Sequence, residues 1–233
     1  MRRYGRLNGR LYNKNKQEDI KPSSESKETV MLLEIHPYNP QPRLIEQVID
    51  IIKNDGVIIY ATDTTYSFGC SIHSKKAMKR IYQIKQIDKK KPLTFICNNA
   101  KQFQQYTKGV STPIFRKIKS IVPGPYTFIF EASKMVPKVM LSPRSTIGVR
   151  MPDAPVATML VEKMEEPILS SSLSNEGVEF HDPYSIHEEY EKVVDCVIDS
   201  GDLYLTSSAI IDFSVEPAEI IRAGDADLDW IMN

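Results

Sequence analysis

Apolar positions along the chain fall into two rhythms, and the switches between them mark its elements. Leu32, Leu33 and Ile35 offer a first strand near Met31. Pro42 then opens a stretch in which Leu44, Ile45, Val48, Ile49 and Ile52 recur at helical spacing, and Asn54-Asp55-Gly56 stops it. Val57–Tyr60 is a short β-branched run and reads as a buried strand. Lys75–Lys85 returns to the helical rhythm, with Ala77, Ile81 and Ile84 inward and lysines outward. Leu93–Cys97 is the next strand, and Pro113–Ile121 is a helix ended by Pro123-Gly124-Pro125. Tyr126–Phe130, Ile147–Arg150, Ile168–Ser171, Val193–Ile198, Ala209–Ile211 and Glu219–Ile221 complete the predicted strands, with helices near Pro155–Lys163 and Ser185–Tyr190. Strands and helices interleave without a repeat, which predicts an α/β domain with a mixed sheet.

Residues 1–30 stand outside this pattern. They hold few aliphatics, and Pro22-Ser23-Ser24-Glu25-Ser26 buries too little surface to order itself, so the segment is expected to be a disordered basic tail. The 233 residues carry 30 Lys and Arg against 30 Asp and Glu, so no global charge points to a nucleic acid or a membrane. That neutrality hides segregation. Lys75–Lys119 holds thirteen basic residues and one acid, Asp88, whereas beyond Arg150 three basic residues face nineteen acidic ones. Such a block presents a local cationic face that attracts phosphates. No apolar run approaches the roughly 18–20 residues that a membrane-spanning helix needs. Cys70, Cys97 and Cys196 are dispersed and odd in number, which excludes a disulfide scaffold and fits a reducing, cytoplasmic setting.

The common chemistry motifs are missing: there is no GxxxxGK[ST] loop, GxGxxG turn, HExxH or GxSxG elbow. Three hydroxyl-rich segments follow predicted strands instead: Ala61-Thr62-Asp63-Thr64-Thr65-Tyr66, Ser170-Ser171-Ser172-Leu173-Ser174-Asn175 and Thr206-Ser207-Ser208. Ligands of open α/β sheets bind just outside strand ends, so these segments can converge on one crevice with Lys91, Arg150 and Arg222. Ordinary turn and capping chemistry accounts for any one of them alone.

Seven segments in register resemble one family. Asp55-Gly56-Val57-Ile58-Ile59-Tyr60-Ala61-Thr62-Asp63-Thr64-Thr65-Tyr66-Ser67-Phe68-Gly69 is similar to the GGvvayPTDTvYGLG opening of the YrdC/TsaC family, the threonylcarbamoyl-AMP synthases. Lys85-Gln86-Ile87-Asp88-Lys89-Lys90-Lys91-Pro92-Leu93 occupies the place of its KxRPxxKPL, Pro123-Gly124-Pro125-Tyr126-Thr127 that of PGPxT, and Thr146-Ile147-Gly148-Val149-Arg150-Met151-Pro152 that of TvgVRmP. Ser172-Leu173-Ser174, Ser208-Ala209-Ile210-Ile211-Asp212 and Ile221-Arg222-Ala223-Gly224 stand where SAN, STVVD and LRpG belong.

The resemblance implies a single YrdC-like domain over 31–233: a twisted open mixed α/β sheet with helices and a large concave cationic cavity. It implies that L-threonine or another small amino acid, bicarbonate and ATP are joined into threonylcarbamoyl-AMP and pyrophosphate, for the t6A modification of tRNA. Mg²⁺ would arrive on the ATP phosphates. Carried over residue by residue, Thr64, Arg150, Ser170 and Ser208 hold the amino acid. Lys91, Thr146, Ser172 and Arg222 hold the nucleotide, and Lys85 adds charge at the phosphates. No covalent nucleophile is assigned; the protein's part is positioning and charge stabilisation.

Departures from the family pattern narrow the resemblance. The Arg of KxR is Ile87, the Asn of SxN is Ser174 (with Asn175 one position on), the Thr of STVVD is Ala209 and the Pro before TDT is Ala61. With His36-Pro37-Tyr38-Asn39-Pro40-Gln41 near the start, this set most resembles the YciO branch. Two readings stay open from the residues. One is a synthase of altered rate or acceptor; the other is a protein whose cationic concave face holds double-stranded RNA or tRNA without adenylate chemistry, by backbone contact rather than base readout.

Overall fold

A computed structural model describes residues 30–88, 91–140, 144–173 and 181–232, and backbone strands at 4–7 and 10–13. Among the described residues the chain runs β1 (Tyr4–Leu7), β2 (Arg10–Asn13), β3 (Met31–Glu34), α1 (Pro42–Lys53), β4 (Ile58–Ala61), β5 (Tyr66–Ser71), α2 (Lys75–Lys85), β6 (Thr94–Ile96), α3 (Ala100–Tyr106), β7 (Thr107–Lys108) and α4 (Thr112–Ile121). It continues through β8 (Tyr126–Ala132), a 3₁₀ turn at Lys138–Met140, β9 (Thr146–Arg150), α5 (Pro155–Met164), β10 (Ile168–Ser172), α6 (Pro183–Tyr190), β11 (Cys196–Asp199), β12 (Ala209–Asp212), β13 (Glu219–Arg222) and α7 (Asp229–Met232). β1 and β2 pair with each other in a separate hairpin. The rest of the expected tail lies outside the described residues, as do Lys89, Lys90, Ser174 and Asn175.

The main sheet has the order β13-β12-β8-β9-β6-β10-β5-β4-β11-β3, with β7 added beside β8. It is mixed: β3, β11 and β4 are mutually parallel, β5 and β10 run antiparallel to their neighbours, and β6–β9 and β8–β12 are parallel pairs. The α/β expectation holds.

Local signals account for the predicted helices. Pro42 sits at the first position of α1, whose Ile45, Val48, Ile49 and Ile52 are buried. The Ser74 hydroxyl caps α2 by accepting from Ala77 N at 3.0 Å. Six further strands and α-helices escaped the sequence pattern: β1 and β2, which fall in the segment expected to be disordered, and β5, α3, β7 and α7. β5 alternates large Tyr66, Phe68 and Cys70 with small Ser67, Gly69 and Ser71, so its two faces differ in size more than in polarity.

Two apolar layers sandwich the sheet. On one face Ile59, Tyr66, Phe68, Phe95, Phe128, Val149 and Ile211 pack under α2, α3, α4 and α6. On the other, Ile58, Tyr60, Ile96, Ile168 and Ile198 pack under α1 and α5 alone. This second layer ends in the middle of the sheet, and the strand alternation then brings Ser67, Thr94, Thr127, Gly148, Arg150 and Ser170 to the same face. At the boundary Gly69 leaves room for the apolar layer. A Cβ there would lie 2.8 Å from Tyr60 Cε1 and 3.1 Å from Ile58 Cγ1, both fully buried. Gly69→Ala is therefore expected to destabilise the fold by about 1–3 kcal/mol through overpacking, read as a lower denaturant midpoint at unchanged slope.

Candidate active site

The polar half-face is walled by three loops. In the turn after β4, Thr62 Oγ1 accepts from Thr64 N and Thr65 N at 3.3 and 3.2 Å and donates to Thr65 O at 2.7 Å. That self-closed turn presents Asp63 and Thr64 to Arg150, at the end of β9. Arg150 Nη2 donates to Asp63 Oδ1 at 2.5 Å and to Thr64 Oγ1 at 3.0 Å. The pair is largely buried, with side-chain exposures of 9% for Arg150 and 12% for Asp63. It is engaged at one end only. Asp63 Oδ2 and Arg150 Nε are buried with no hydrogen-bond partner among the described residues. Such groups carry a desolvation cost of about 1–3 kcal/mol each, more when charged.

The second wall is the loop between β11 and β12. Tyr66 anchors its start, donating to Gly201 O at 2.7 Å and accepting from Ser200 N at 3.1 Å. Burial, the main cause, pushes the Tyr66 phenol well above its ordinary range, so it stays protonated. Thr206 N donates to Thr64 O at 3.1 Å, which ties this loop to the Asp63–Thr64 turn. The third wall is the turn after β13. Gly224 has φ +59, and a Cβ there would overlap the Ser207 and Ser208 backbone, so only glycine lets the turn close. Asp225 N then donates to Ser207 O at 2.9 Å, and Asp225 Oδ2 accepts from Ser207 N at 2.6 Å. Arg222 completes the corner: its Nε donates to Ser208 O and its Nη2 to Ser208 Oγ, both at 2.9 Å. Burial and the nearby Arg150 charge lower the Arg222 pKa. Two guanidiniums thus share one corner with Thr64, Ser208 and Thr127.

Lys85, on the last turn of α2, donates from its Nζ to Ser172 O at the end of β10, and the next residue, Leu173, bonds through its N to Tyr66 O beside the Thr62–Thr65 turn. Burial, with Lys91 close by, lowers the Lys85 ammonium from 10.5 to about 8. Tyr82 holds the Lys91 loop by donating to Lys91 O at 2.7 Å. Thr146 begins β9, paired with Glu131 of β8.

The expected residues therefore fall into two groups, Thr64, Arg150, Ser208 and Arg222 in one and Lys85, Lys91 and Ser172 in the other. Ser170 differs from the rest: it is buried, accepts from Tyr60 at 2.9 Å and donates to Phe68 O at 3.0 Å, so its hydroxyl is spent inside the sheet. Ile87 is half-buried and packs against the apolar layer under α2. The helices α2, α3 and α4, which hold much of the basic block, pack on the opposite face of the sheet; Lys85 is what these helices contribute at the β10 end. Asp63 carried no assigned role in the sequence, although it is the only acid in the hydroxyl-rich turn. Among the described residues no cluster of three or more His, Cys, Asp or Glu could hold a metal ion, and no helix is long and apolar enough to cross a membrane.

A mixed open sheet with a polar half-face walled by three loops defines the class to which comparisons with known proteins also lead. The model of the Sua5/YciO/YrdC family, described as telomere recombination, matches residues 50–224, and the chain belongs to that family. It is 40% identical over 197 residues to the uncharacterised YciO protein of Escherichia coli K12, spanning 83% of this chain and 95% of that one. The crystal structure of E. coli YciO superposes with a TM-score of 0.82 at 38% identity, covering 86% and 98% of the two chains. More distant is the threonylcarbamoyl-AMP synthase of Pyrococcus abyssi, 28% identical over 184 residues, 77% of this chain and 54% of that one. A structure of P. abyssi Sua5 matches with a TM-score of 0.77 at 25% identity, covering 85% of this chain and 62% of that one.

The lowered Lys85 pKa has a direct consequence for anion binding. Below about pH 8 the ammonium is charged in the folded protein, and above it the charge is lost. Affinity for inorganic phosphate, measured by calorimetry, is expected to fall as pH rises from 7 to 9. Lys91→Ala, which removes the neighbouring charge, is expected to move that fall to higher pH.

Proposed function

We propose that the protein is a nucleotidyltransferase of the threonylcarbamoyl-AMP synthase type, taking ATP·Mg²⁺, bicarbonate and L-threonine or another small amino acid. The observation that carries this reading is the pairing of two unlike sets of cations. One is a guanidinium corner in which Arg150, Thr64 and Ser208 suit a small carboxylate, with Arg222 beside them on Ser208 as the cation that meets the nucleotide. The other is an ammonium pair, Lys85 and Lys91, suited to phosphates as point charges. Family membership supports the same reading, since relatives within it bear the name threonylcarbamoyl-AMP synthase.

In this reading the amino group and bicarbonate give a carbamate and water. The carbamate oxygen then attacks the α-phosphorus, and pyrophosphate leaves with the electrons of the broken P–O bond. The protein aligns the two and stabilises the charge that shifts onto pyrophosphate; Lys85 and Lys91 lie at that end. Mg²⁺ enters as part of the nucleotide, and the product serves t6A modification of tRNA. The reading of the same face as an RNA-binding surface is weaker, because helices that hold much of the basic block lie behind the sheet.

The test is pyrophosphate release that depends jointly on threonine and bicarbonate. The expected wild-type rate is slow, because Ile87 stands where the family pattern has a guanidinium. Ile87→Arg is expected to raise it at least about tenfold, up to the roughly 10²–10³ that one transition-state contact typically supplies. Lys91→Ala and Arg222→Ala are expected to weaken ATP binding about tenfold, or about 1.4 kcal/mol, in calorimetry. Unchanged ATP affinity in both variants removes the nucleotide site, and absence of turnover in wild type and Ile87→Arg removes the reaction.

A further inference from the structure

The end-on contact between Asp63 and Arg150 is unusual for a buried structural ion pair. A carboxylate beside a guanidinium gains most by a fork-to-fork arrangement in which both oxygens take N–H groups. Here only Asp63 Oδ1 is engaged, by Nη2, while Asp63 Oδ2 and Arg150 Nε stay buried and unpaired. One unpaired acceptor of negative charge and one unpaired donor of positive charge thus belong to two side chains joined by a single contact. Thr64 Oγ1 holds the same Nη2 at 3.0 Å, and Thr62 fixes the turn that carries both residues.

We propose that Asp63 and Arg150 form a two-ended recognition pair for the zwitterion of an α-amino acid, with Asp63 Oδ2 accepting from its ammonium and Arg150 Nε donating to its carboxylate. This rests on the reading that the corner takes an amino acid, and adds to it the residue that selects the class. A plain carboxylate drawn to Arg150 meets the Asp63 charge on the same guanidinium and is repelled. A ligand with an ammonium one carbon from its carboxylate turns that repulsion into a second contact. The pair therefore works as a filter against simple carboxylic acids as well as an attraction for amino acids. Both orphan atoms are shielded, so the Thr62–Thr65 turn shifts to admit the ligand. Its link to the β11–β12 loop, Thr206 N to Thr64 O, moves or breaks with it. Asp63 acts here as a binding and positioning residue.

The experiment compares L-threonine with 3-hydroxybutyrate, which keeps the carboxylate and hydroxyl and lacks the ammonium, by calorimetry on the full chain. Wild type is expected to bind threonine at least tenfold more tightly. In Asp63→Asn, with folding checked by thermal unfolding, threonine affinity is expected to fall at least tenfold while that for 3-hydroxybutyrate stays or rises, so the preference collapses. Equal binding of the two compounds by wild type, a comparison that needs no variant, overturns the proposal and leaves the amino-acid reading standing on the carboxylate alone. Retained preference in folded Asp63→Asn also overturns it. Binding of neither compound by wild type removes the amino-acid reading and this proposal together.

Discussion

A sheet this wide has two faces to bury, and the helices divide unequally between them. Four helices, α2, α3, α4 and α6, cover one face completely enough that Phe95, Phe128 and Val149 are fully buried. On the other face α1 and α5 cover the end around β4 and β11 only. Beyond that edge the face carries mainly polar or small residues, with Ile129 and Ile210 half-buried among them, because the cover given by α1 and α5 stops short of it. The site is a consequence of that shortfall: Arg150, Thr94, Thr127 and Ser170 are the side chains a half-covered face can carry.

Polar side chains on such a face need partners, and loops supply them. The Thr62–Thr65 turn, the β11–β12 loop and the Gly224 turn are knit by hydrogen bonds to backbone atoms, with Leu203 and Ala226 as partly buried apolar anchors. Their geometry therefore depends on a handful of directed contacts. Elements of this kind open at lower free-energy cost than core strands, which suits walls that must admit and release a ligand. The apolar layers beneath provide the rigid reference against which these loops close.

What was legible in the sequence follows the same division. α1 and α2 were readable because each carries a long apolar stripe with a Pro or Ser start signal. β5 was not, since its alternation is of large against small residues, and Gly69 and the serines read as turn chemistry until their close neighbours are known. α3 spans seven residues with Phe103 and Tyr106 as its large buried apolar side chains, too short for periodicity to declare it. Motif and order named the candidate residues, yet their hydrogen-bonded surroundings were not legible. Ser170 spends its hydroxyl on Tyr60 and Phe68, and Asp63 gains its ion-pair partner only when Arg150, distant in sequence, arrives beside it. The basic block shows the limit most plainly. Composition counts charges along the chain, but the side of the sheet on which α2, α3 and α4 pack is decided by Ile81, Phe103 and Ile118.

The two sets of cations are handled in opposite ways. The guanidinium corner is held by Asp63 and by the hydroxyl and carbonyl of Ser208. Lys85 is bound to a carbonyl oxygen, with no carboxylate on it among the described residues, and burial with a neighbouring cation makes its charge costly. A phosphate that settles between Lys85 and Lys91 removes the repulsion between them and restores the ordinary proton affinity of Lys85. Part of its binding free energy is then relief of an unfavourable charge already present in the protein, and proton uptake accompanies it wherever Lys85 was neutral. Ile87, packed into the apolar layer, adds nothing to that exchange, whereas a guanidinium there would keep its charge at every working pH. On the proposed reading, the phosphates would meet a titratable lysine where the family pattern has a guanidinium, and nucleotide binding would then depend on pH more closely.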